Sequence, residues 1–346
     1  MYRKHNRCNS TILASLVSAL ASMLAIMSVT VFADVIYDVG PGQTYATIQD
    51  ALDATQDVTF DESHIINIHA DTPGGSYTYN LAGLGDVYFD TDPGAARTST
   101  PTETNRLVIQ ANPGDDITLN CADNFRANIR DSNVTIQGLK FTGKTSTVNS
   151  GYLGLGQYSS GGDRSGYLIY NNEFEGSSGP AWSANVGGTD ASWDVAYVNN
   201  YIHDADFHTM AEDVDLFAGN VFHDQNPTNG GGTVVSLNAG GYAVNNTLVN
   251  AGTGISRAST TTDDGMNANN IITDMANFAF YYAMSYLDAD DEFPTMSNNL
   301  GYDNALWARH GEGHNSATLA VWNNNLTTNG KDPELNSIDG LDPLFY

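Results

Sequence analysis

Tyr170-Asn-Asn-Glu-Phe174 returns along the chain as Val198-Asn-Asn-Tyr-Ile202, Ala218-Gly-Asn-Val-Phe222, Val244-Asn-Asn-Thr-Leu248, Ala268-Asn-Asn-Ile-Ile272, Met296-Ser-Asn-Asn-Leu300 and Trp322-Asn-Asn-Asn-Leu326. The central Asn172, Asn200, Asn220, Asn246, Asn270, Asn298 and Asn324 are separated by 28, 20, 26, 24, 28 and 26 residues. A repeat of roughly 20 to 30 residues means stacked supersecondary units, each unable to bury its apolar face alone. The intervals are too short and too rich in turn formers for two helices each. Apolar residues at even offsets on both sides of the Asn would share one face of extended chain, so the units are expected to be strands with both flanking residues facing the core. An Asn at the same place in each coil tolerates the left-handed backbone of a tight turn. It can also hydrogen-bond to its counterparts above and below, which satisfies buried polar groups at a corner.

The start of the chain reads differently. Met-Tyr-Arg-Lys-His-Asn-Arg precedes an apolar stretch from Ile12 to Phe32 that ends in Val31-Phe32-Ala33, the pattern of a secretory signal peptide with a small residue at its cut site. A membrane anchor is the alternative, since about 20 apolar residues can span a bilayer. Ser15, Ser18, Ser22 and Ser28 dilute the run and favour cleavage after Ala33, giving a secreted or cell-surface protein. Taking Arg3, Lys4 and Arg7 from the 13 basic residues leaves ten against 40 acidic ones, a net charge of −30. Such a surface disfavours nucleic acid and anionic membrane, and it suits cations, calcium among them. Cys8 lies in the leader, so Cys121 has no partner for a disulfide and is expected to be a buried small hydrophobe.

Downstream of the leader the repeat implies a single elongated domain over 34–346. Its opening segment, about 35–56, contains Gly42-Gln-Thr-Tyr-Ala-Thr-Ile-Gln-Asp-Ala-Leu52 after a strand and a Pro/Gly turn. Ile48, Ala51, Leu52 and Thr55 fall on one helical face, as a helix covering the open end of a solenoid requires. With this segment, and with Ile65-Ile-Asn-Ile68, Leu107-Val-Ile109 and Asn133-Val-Thr-Ile-Gln-Gly-Leu-Lys-Phe141 following it, the chain resembles the pectin-lyase-like superfamily. The resemblance implies an all-β, right-handed parallel β-helix with an N-terminal capping helix, and it identifies architecture rather than activity. The polar stretch of about 85–105, with Pro93 and Pro101, reads as an inserted loop. Asn-ladder coils are expected over about 166–326. A tail over about 327–346 carries Asp342-Pro-Leu-Phe345, similar to segments that follow the last coils of such proteins.

The ladder also serves as a ruler. Eleven residues after Asn246, Asn270 and Asn298 stand Arg257, Tyr281 and Arg309. Neighbouring coils lie about 4.8 Å apart, which would align the three in one row. Burying both arginines would strand charge, so the row is expected to face outward, where it suits the carboxylates of an acidic polysaccharide. In β-elimination from a uronic acid, positive charge stabilises the developing enolate while a Tyr, His, Lys or Arg removes the C5 proton. Tyr281 is the candidate base, His310 the alternative, and Trp182 and Trp307 are candidate surfaces for sugar rings. The competing reading pairs the arginines with nearby carboxylates and packs Tyr281.

Asp213, Asp263, Asp264, Asp290, Asp291 and Glu312 are expected in the turns before successive Asn-bearing strands, an edge that could hold calcium, though the spacing is not that of an EF-hand. His310-x-x-x-His314 would need a helix to bring its rings together, and Gly311-Glu-Gly313 between them argues against one and against zinc. No organic cofactor is expected. Of the polygalacturonase segments only Asp263-Asp264 is present, and the best-known pectate lyase segments are missing, Tyr201-Ile-His-Asp204 being a distant echo on an ordinary coil. Three functions stand open, with oligomeric state unassigned: a lyase-like enzyme on polysaccharide, a carbohydrate-binding protein without catalysis, and a structural surface protein.

Overall fold

Short runs rich in Val, Ile, Tyr and Phe, punctuated by Asn, Asp and Gly, form strands that pair in parallel from one repeat to the next. The computed structural model describes residues 34–340 apart from 82–86, 92–98, 122–125, 145–151, 156–164, 177–180, 183–194, 205–208, 225–231, 258–264, 283–293, 311–313 and 329–332. It is all-β, with 55% strand against 8% helix, and its long parallel sheet is consistent with a solenoid-like β-helix. Residues 1–33, expected from the sequence to be a leader, lie outside the described residues; among those described, no helix is long and apolar enough to cross a membrane.

The strands stack in three columns. The first starts at Val35–Val39 and His64–Ile68 and continues in register through Leu107–Ala111, Val134–Gln137, Tyr167–Tyr170 and Val195–Val198. The second contains Leu139–Lys144, Glu173–Gly176, Tyr201–His203, Val221–His223 and the start of Thr247–Arg257. The third begins as a separate sheet, Val87–Asp90, Arg126–Ile129, Leu153–Leu155 and Ala181–Trp182. Farther along it is formed by segments of the long strands and by Ala308–His310. The stretch expected as an inserted loop therefore contains a strand, because Val87-Tyr-Phe is a good strand former and Pro93 stands beyond its end.

Between the first two columns runs the Asn ladder. Asn172 accepts from Leu139 N–H through Oδ1, and the carboxamide oxygens of Asn200, Asn220, Asn246, Asn270 and Asn299 each accept the backbone N–H of the ladder residue one coil back. Each Nδ2 donates to a core-strand carbonyl, as Asn220 does to Tyr197 at 2.9 Å. Two expected members are corrected. Asn299 takes the place assigned to Asn298, which adopts the left-handed conformation instead (φ 55°). Asn324 lies in helix α2 (Leu319–Thr328), so the coils do not continue to 326.

The expectation that one Asn would both turn the chain and form the ladder is also corrected. Asn171, Asn199, Asn245 and Asn269 are left-handed, at φ of 54 to 59°, and the ladder residue follows each. Where the turn residue is Gly219 (φ 67°), an added Cβ would collide with the Asn199 side chain. The left-handed residue reverses the alternation across the corner. The inward positions are therefore three before the ladder Asn, as Ile169, Tyr197 and Phe217 show, and two after it, as Phe174, Ile202 and Phe222 show. Tyr170, two before, points outward and is 38% exposed.

Helix α1 (Ile48–Ala54) has a capping box between Thr47 and Asp50, and it buries Ile48, Ala51 and Leu52 against the first strands. Cys121 is buried, its thiol directed at Leu119 O. At the other end, the tail closes the ladder. Glu334 accepts from Asn299 Nδ2 (2.9 Å), Ser337 Oγ (2.6 Å) and Trp307 Nε1 (3.1 Å), and Ile338–Asp339 adds a strand beside Leu300–Tyr302. Burial pushes the Glu334 carboxyl above the usual range, against those hydrogen bonds, which favour the ionised form.

Candidate functional site

Strands of the second column bury one residue and expose its neighbours. With Phe174, Ile202 and Phe222 inward, the register places Glu173, Tyr201 and Val221 in one outward row, and Glu175, His203 and His223 in the next. Lys140 stands beside Glu173 on the preceding coil. A second corner follows directly. Asp204 (φ 56°), Asp224 (φ 62°) and Asn250 (φ 54°) are all left-handed, four residues after their ladder Asn. The turn folds each Asp back on its own histidine, giving Asp204 Oδ2 to His203 Nδ1 at 2.8 Å and Asp224 Oδ2 to His223 Nδ1 at 2.7 Å.

The two histidines have different surroundings. The His203 Nε2 faces Glu173 Oε1 at 3.1 Å, so both of its ring nitrogens meet carboxylates and both hydrogen bonds are complete only when both nitrogens carry protons. His223 Nε2 lies 2.5 Å from the Tyr201 hydroxyl, so an Nδ1-protonated ring can accept the phenol proton there. The other Asp224 oxygen accepts from Asn250 Nδ2 at 3.0 Å. The three rings cluster, with His203 stacked on Tyr201 at 4.5 Å and on His223 at 5.5 Å between centroids and Tyr201 tilted against His223 at 5.4 Å. Tyr201 is 39% exposed.

Charge shapes these groups. The Asn250 and His223 hydrogen bonds hold Asp224 below the usual carboxylate range. Burial acts to raise the Glu173 carboxyl, but hydrogen bonds from Lys140 and His203 outweigh it and leave it lowered. Partial burial, then the charges of Glu173, Asp204 and Asp224, raise Tyr201 and keep it a phenol. Glu173, Glu175 and His203 bring ligand atoms within 4.8 Å of one another. Lys140 Nζ already sits 2.8 Å from both Glu173 Oε1 and Glu175 Oε2, so an ammonium supplies the positive charge a metal would bring.

The row expected from counting is not formed. Ala251 aligns with Met275 but Thr253 with Phe278, so the bend of the later coil holds one residue more. Beyond it Arg257 pairs with Tyr282, while Tyr281 pairs with Ser256 and Arg309. Arg257 is 1% exposed and faces the core, where its guanidinium donates to Gly241 O (2.7 Å) and Asn267 Oδ1 (3.0 Å). These acceptors answer the desolvation that was expected to turn it outward. Arg309 lies over the Phe278 and Tyr281 rings on the third column, 5.4 and 5.8 Å from their centroids.

Trp307 is 1% exposed, packs on Phe280 and donates to Glu334, so it offers no surface to a sugar. Trp182 lies on the third column beside Gly154. Asp213 is within strand Thr209–Ala218 rather than in a turn. Asp263, Asp264, Asp290, Asp291 and Glu312 lie outside the described residues. His310 and His314 are brought opposite each other by an antiparallel hairpin, not by the helix their spacing was thought to require.

Counting toward a single row missed the Tyr201, His203 and His223 face. Its signal was present as a repeated His-Asp dipeptide, His203-Asp204 and His223-Asp224, at the same offset from the ladder Asn of consecutive coils. In comparisons with known proteins, no family model, no curated protein and no solved structure matches the chain.

Proposed function

We propose that the chain is a right-handed parallel β-helix of the pectin-lyase-like kind, exported through its first 33 residues, and that it binds or acts on extracellular polysaccharide along the second strand column. The observation that carries this reading is the exposed Tyr201 ring, stacked with His203 and joined by hydrogen bond to His223 on the next coil, with Glu173, Asp204 and Asp224 around it. Sugars place the apolar face of a ring on an aromatic side chain and their hydroxyls on carboxylates and imidazoles. Successive coils offer such contacts at about 4.8 Å intervals, a surface suited to a chain of sugars rather than one.

The electrostatics narrow the substrate. Glu173 and Glu175 share the Lys140 ammonium, while Asp204 and Asp224 lie on His203 and His223, so a free polyuronate approaches against repulsion unless its charge is neutralised. The acidic polysaccharide expected from the sequence therefore enters with calcium as bridging cation, or with its carboxylates masked. Incubating residues 34–346 with pectate, esterified pectin, alginate, glycosaminoglycans and neutral glucans, with and without calcium, tests this. Retention on a polysaccharide gel that is lost in Tyr201→Ala supports the face, and turnover seen as unsaturated-product absorbance adds catalysis. Retention that Tyr201→Ala leaves unchanged, or no retention of any member, overturns it.

A further inference from the structure

A different face, the outside of the first column, holds a cation without a counter-ion. Arg106 stands just before Leu107–Ala111, and its guanidinium reaches across the next two coils. Nε donates to Thr135 Oγ1 at 2.8 Å, and Nη2 donates to Val134 O at 3.1 Å and to Gly166 O. All three acceptors are neutral oxygens. Among the described residues no carboxylate is in contact with the group and Nη1 makes no hydrogen bond, in a chain that has 40 acidic residues. Burial lowers the guanidinium from its ordinary range, the charge of Glu103 opposes the shift, and the group stays cationic. A part-buried charge held by neutral acceptors alone lacks the partner such a group normally has.

Arg106 borders a cleft of about 270 Å3, a size suited to a small molecule, whose lining includes Gly166, Leu168, Ala196, Asp215 and Leu216. Parallel register sets Leu168, Ala196 and Leu216 side by side on three consecutive coils. Tyr167, Ile169, Val195, Tyr197 and Phe217 point into the core, so these three side chains point outward and floor the cleft. At about 4.8 Å per coil the floor runs for about 10 Å, and it is apolar throughout. Asp215 closes the cleft, its Oδ2 accepting from Val195 N at 2.8 Å. We propose that the cleft binds a small monocarboxylate with an aliphatic tail, its carboxylate on Arg106 and its tail along Leu168, Ala196 and Leu216. A carboxylate on Nη1 supplies the missing counter-charge through a charge-assisted hydrogen bond. The floor disfavours an inorganic anion or a sugar acid, whose remaining oxygens would lose water there without gaining a partner. Asp215 repels a second anionic group, which disfavours dicarboxylates.

The test is calorimetric titration of the purified protein with acetate, butyrate, hexanoate, octanoate, octanamide and inorganic phosphate. Wild type is compared with Leu216→Glu and Ala196→Glu, which put a carboxylate on the part-exposed floor and leave the Arg106 hydrogen bonds in place; melting temperatures without ligand establish that each variant folds. The site predicts one octanoate per chain, with affinity rising about twofold per CH2 from acetate to octanoate, as for a methylene half removed from water. Octanamide has the same tail without the charge and binds at least about tenfold more weakly. Either floor variant lowers octanoate affinity at least about tenfold. No saturable octanoate binding by wild type overturns the proposal, and so does octanamide that matches octanoate, since Arg106 then has no part in it. Acetate or phosphate that matches octanoate overturns it as well, leaving a simple anion site. Unchanged octanoate affinity in the folded floor variants places the ligand elsewhere and overturns the cleft. None of these titrations depends on polysaccharide retention, so the first-column cleft and the second-column face stand or fall separately.

Discussion

Asn220→Ala measures how far the ladder holds the coils together. Asn220 is fully buried; its Nδ2 donates to Tyr197 O at 2.9 Å and Asn246 Oδ1 at 3.2 Å, and its Oδ1 accepts from Asn200 N at 2.9 Å and Asn200 Nδ2 at 3.0 Å. Truncation removes these partners from the Tyr197 carbonyl and the Asn200 N–H at a corner that excludes water. A buried polar group stripped of its partner costs about 1–3 kcal/mol, so two give about 2–6 kcal/mol. That is a large fraction of the roughly 5–15 kcal/mol by which folded proteins are stable. The control is Asn245→Gly, at an exposed left-handed position (φ 59°) that glycine adopts freely and where only about 0.5 kcal/mol is at stake. Guanidinium unfolding followed by circular dichroism gives both values. An Asn220→Ala midpoint equal to wild type, or equal losses for the two variants, would refute the ladder's energetic role.

Three further outcomes follow from particular contacts. Burial holds the Glu334 carboxyl above the value it has in the unfolded chain, so the folded state binds its proton more tightly than the unfolded state does. Its contribution is complete below that value and declines as pH rises through the folded-state pKa, so Glu334→Gln gains on wild type with rising pH; a stability difference independent of pH contradicts this. Lys140→Met leaves Glu173 and Glu175 without their shared ammonium, so Glu173 titrates at higher pH in carboxyl NMR and stability falls by about 0.5–1 kcal/mol, while an unmoved Glu173 titration excludes the ion pair's role. Gly265→Ala puts a Cβ against Gly241 O and Arg257 Nη1, predicting a loss of about 1–3 kcal/mol by denaturant titration, whereas a neutral result means the backbone there gives way.

The repeat was legible because every coil needs the same corner, and Asn172, Asn200, Asn220, Asn246 and Asn270 stand where the pattern placed them. The parity of the flanking residues was not, because a left-handed residue such as Asn171 reverses which side chains face inward and the letters are the same either way. Counting failed where a bend lengthened. Nothing in the sequence marks the extra residue between Met275 and Phe278, and that single residue set Tyr282 rather than Tyr281 beside Arg257 and so separated Arg257 from the pair of Tyr281 and Arg309. Trp322-Asn-Asn-Asn-Leu326 matched the repeat by spacing alone and folded as helix α2, with Trp322 and Leu326 one turn apart on its buried face. The Tyr201 face is legible only when Tyr201-Ile-His-Asp204 is set beside the next coil, where His223-Asp224 repeats its last two residues.

The most direct measurement is a crystal structure of residues 34–346 with a bound oligosaccharide from whichever polysaccharide the protein retains. The account predicts a sugar ring stacked on Tyr201, with its hydroxyls on His203, Asp204 and Glu173 and the next residue of the glycan lying toward His223 or Lys140. A glycan seated instead on the Arg309, Phe278 and Tyr281 surface of the third column, or one that leaves Tyr201 uncovered, would contradict it.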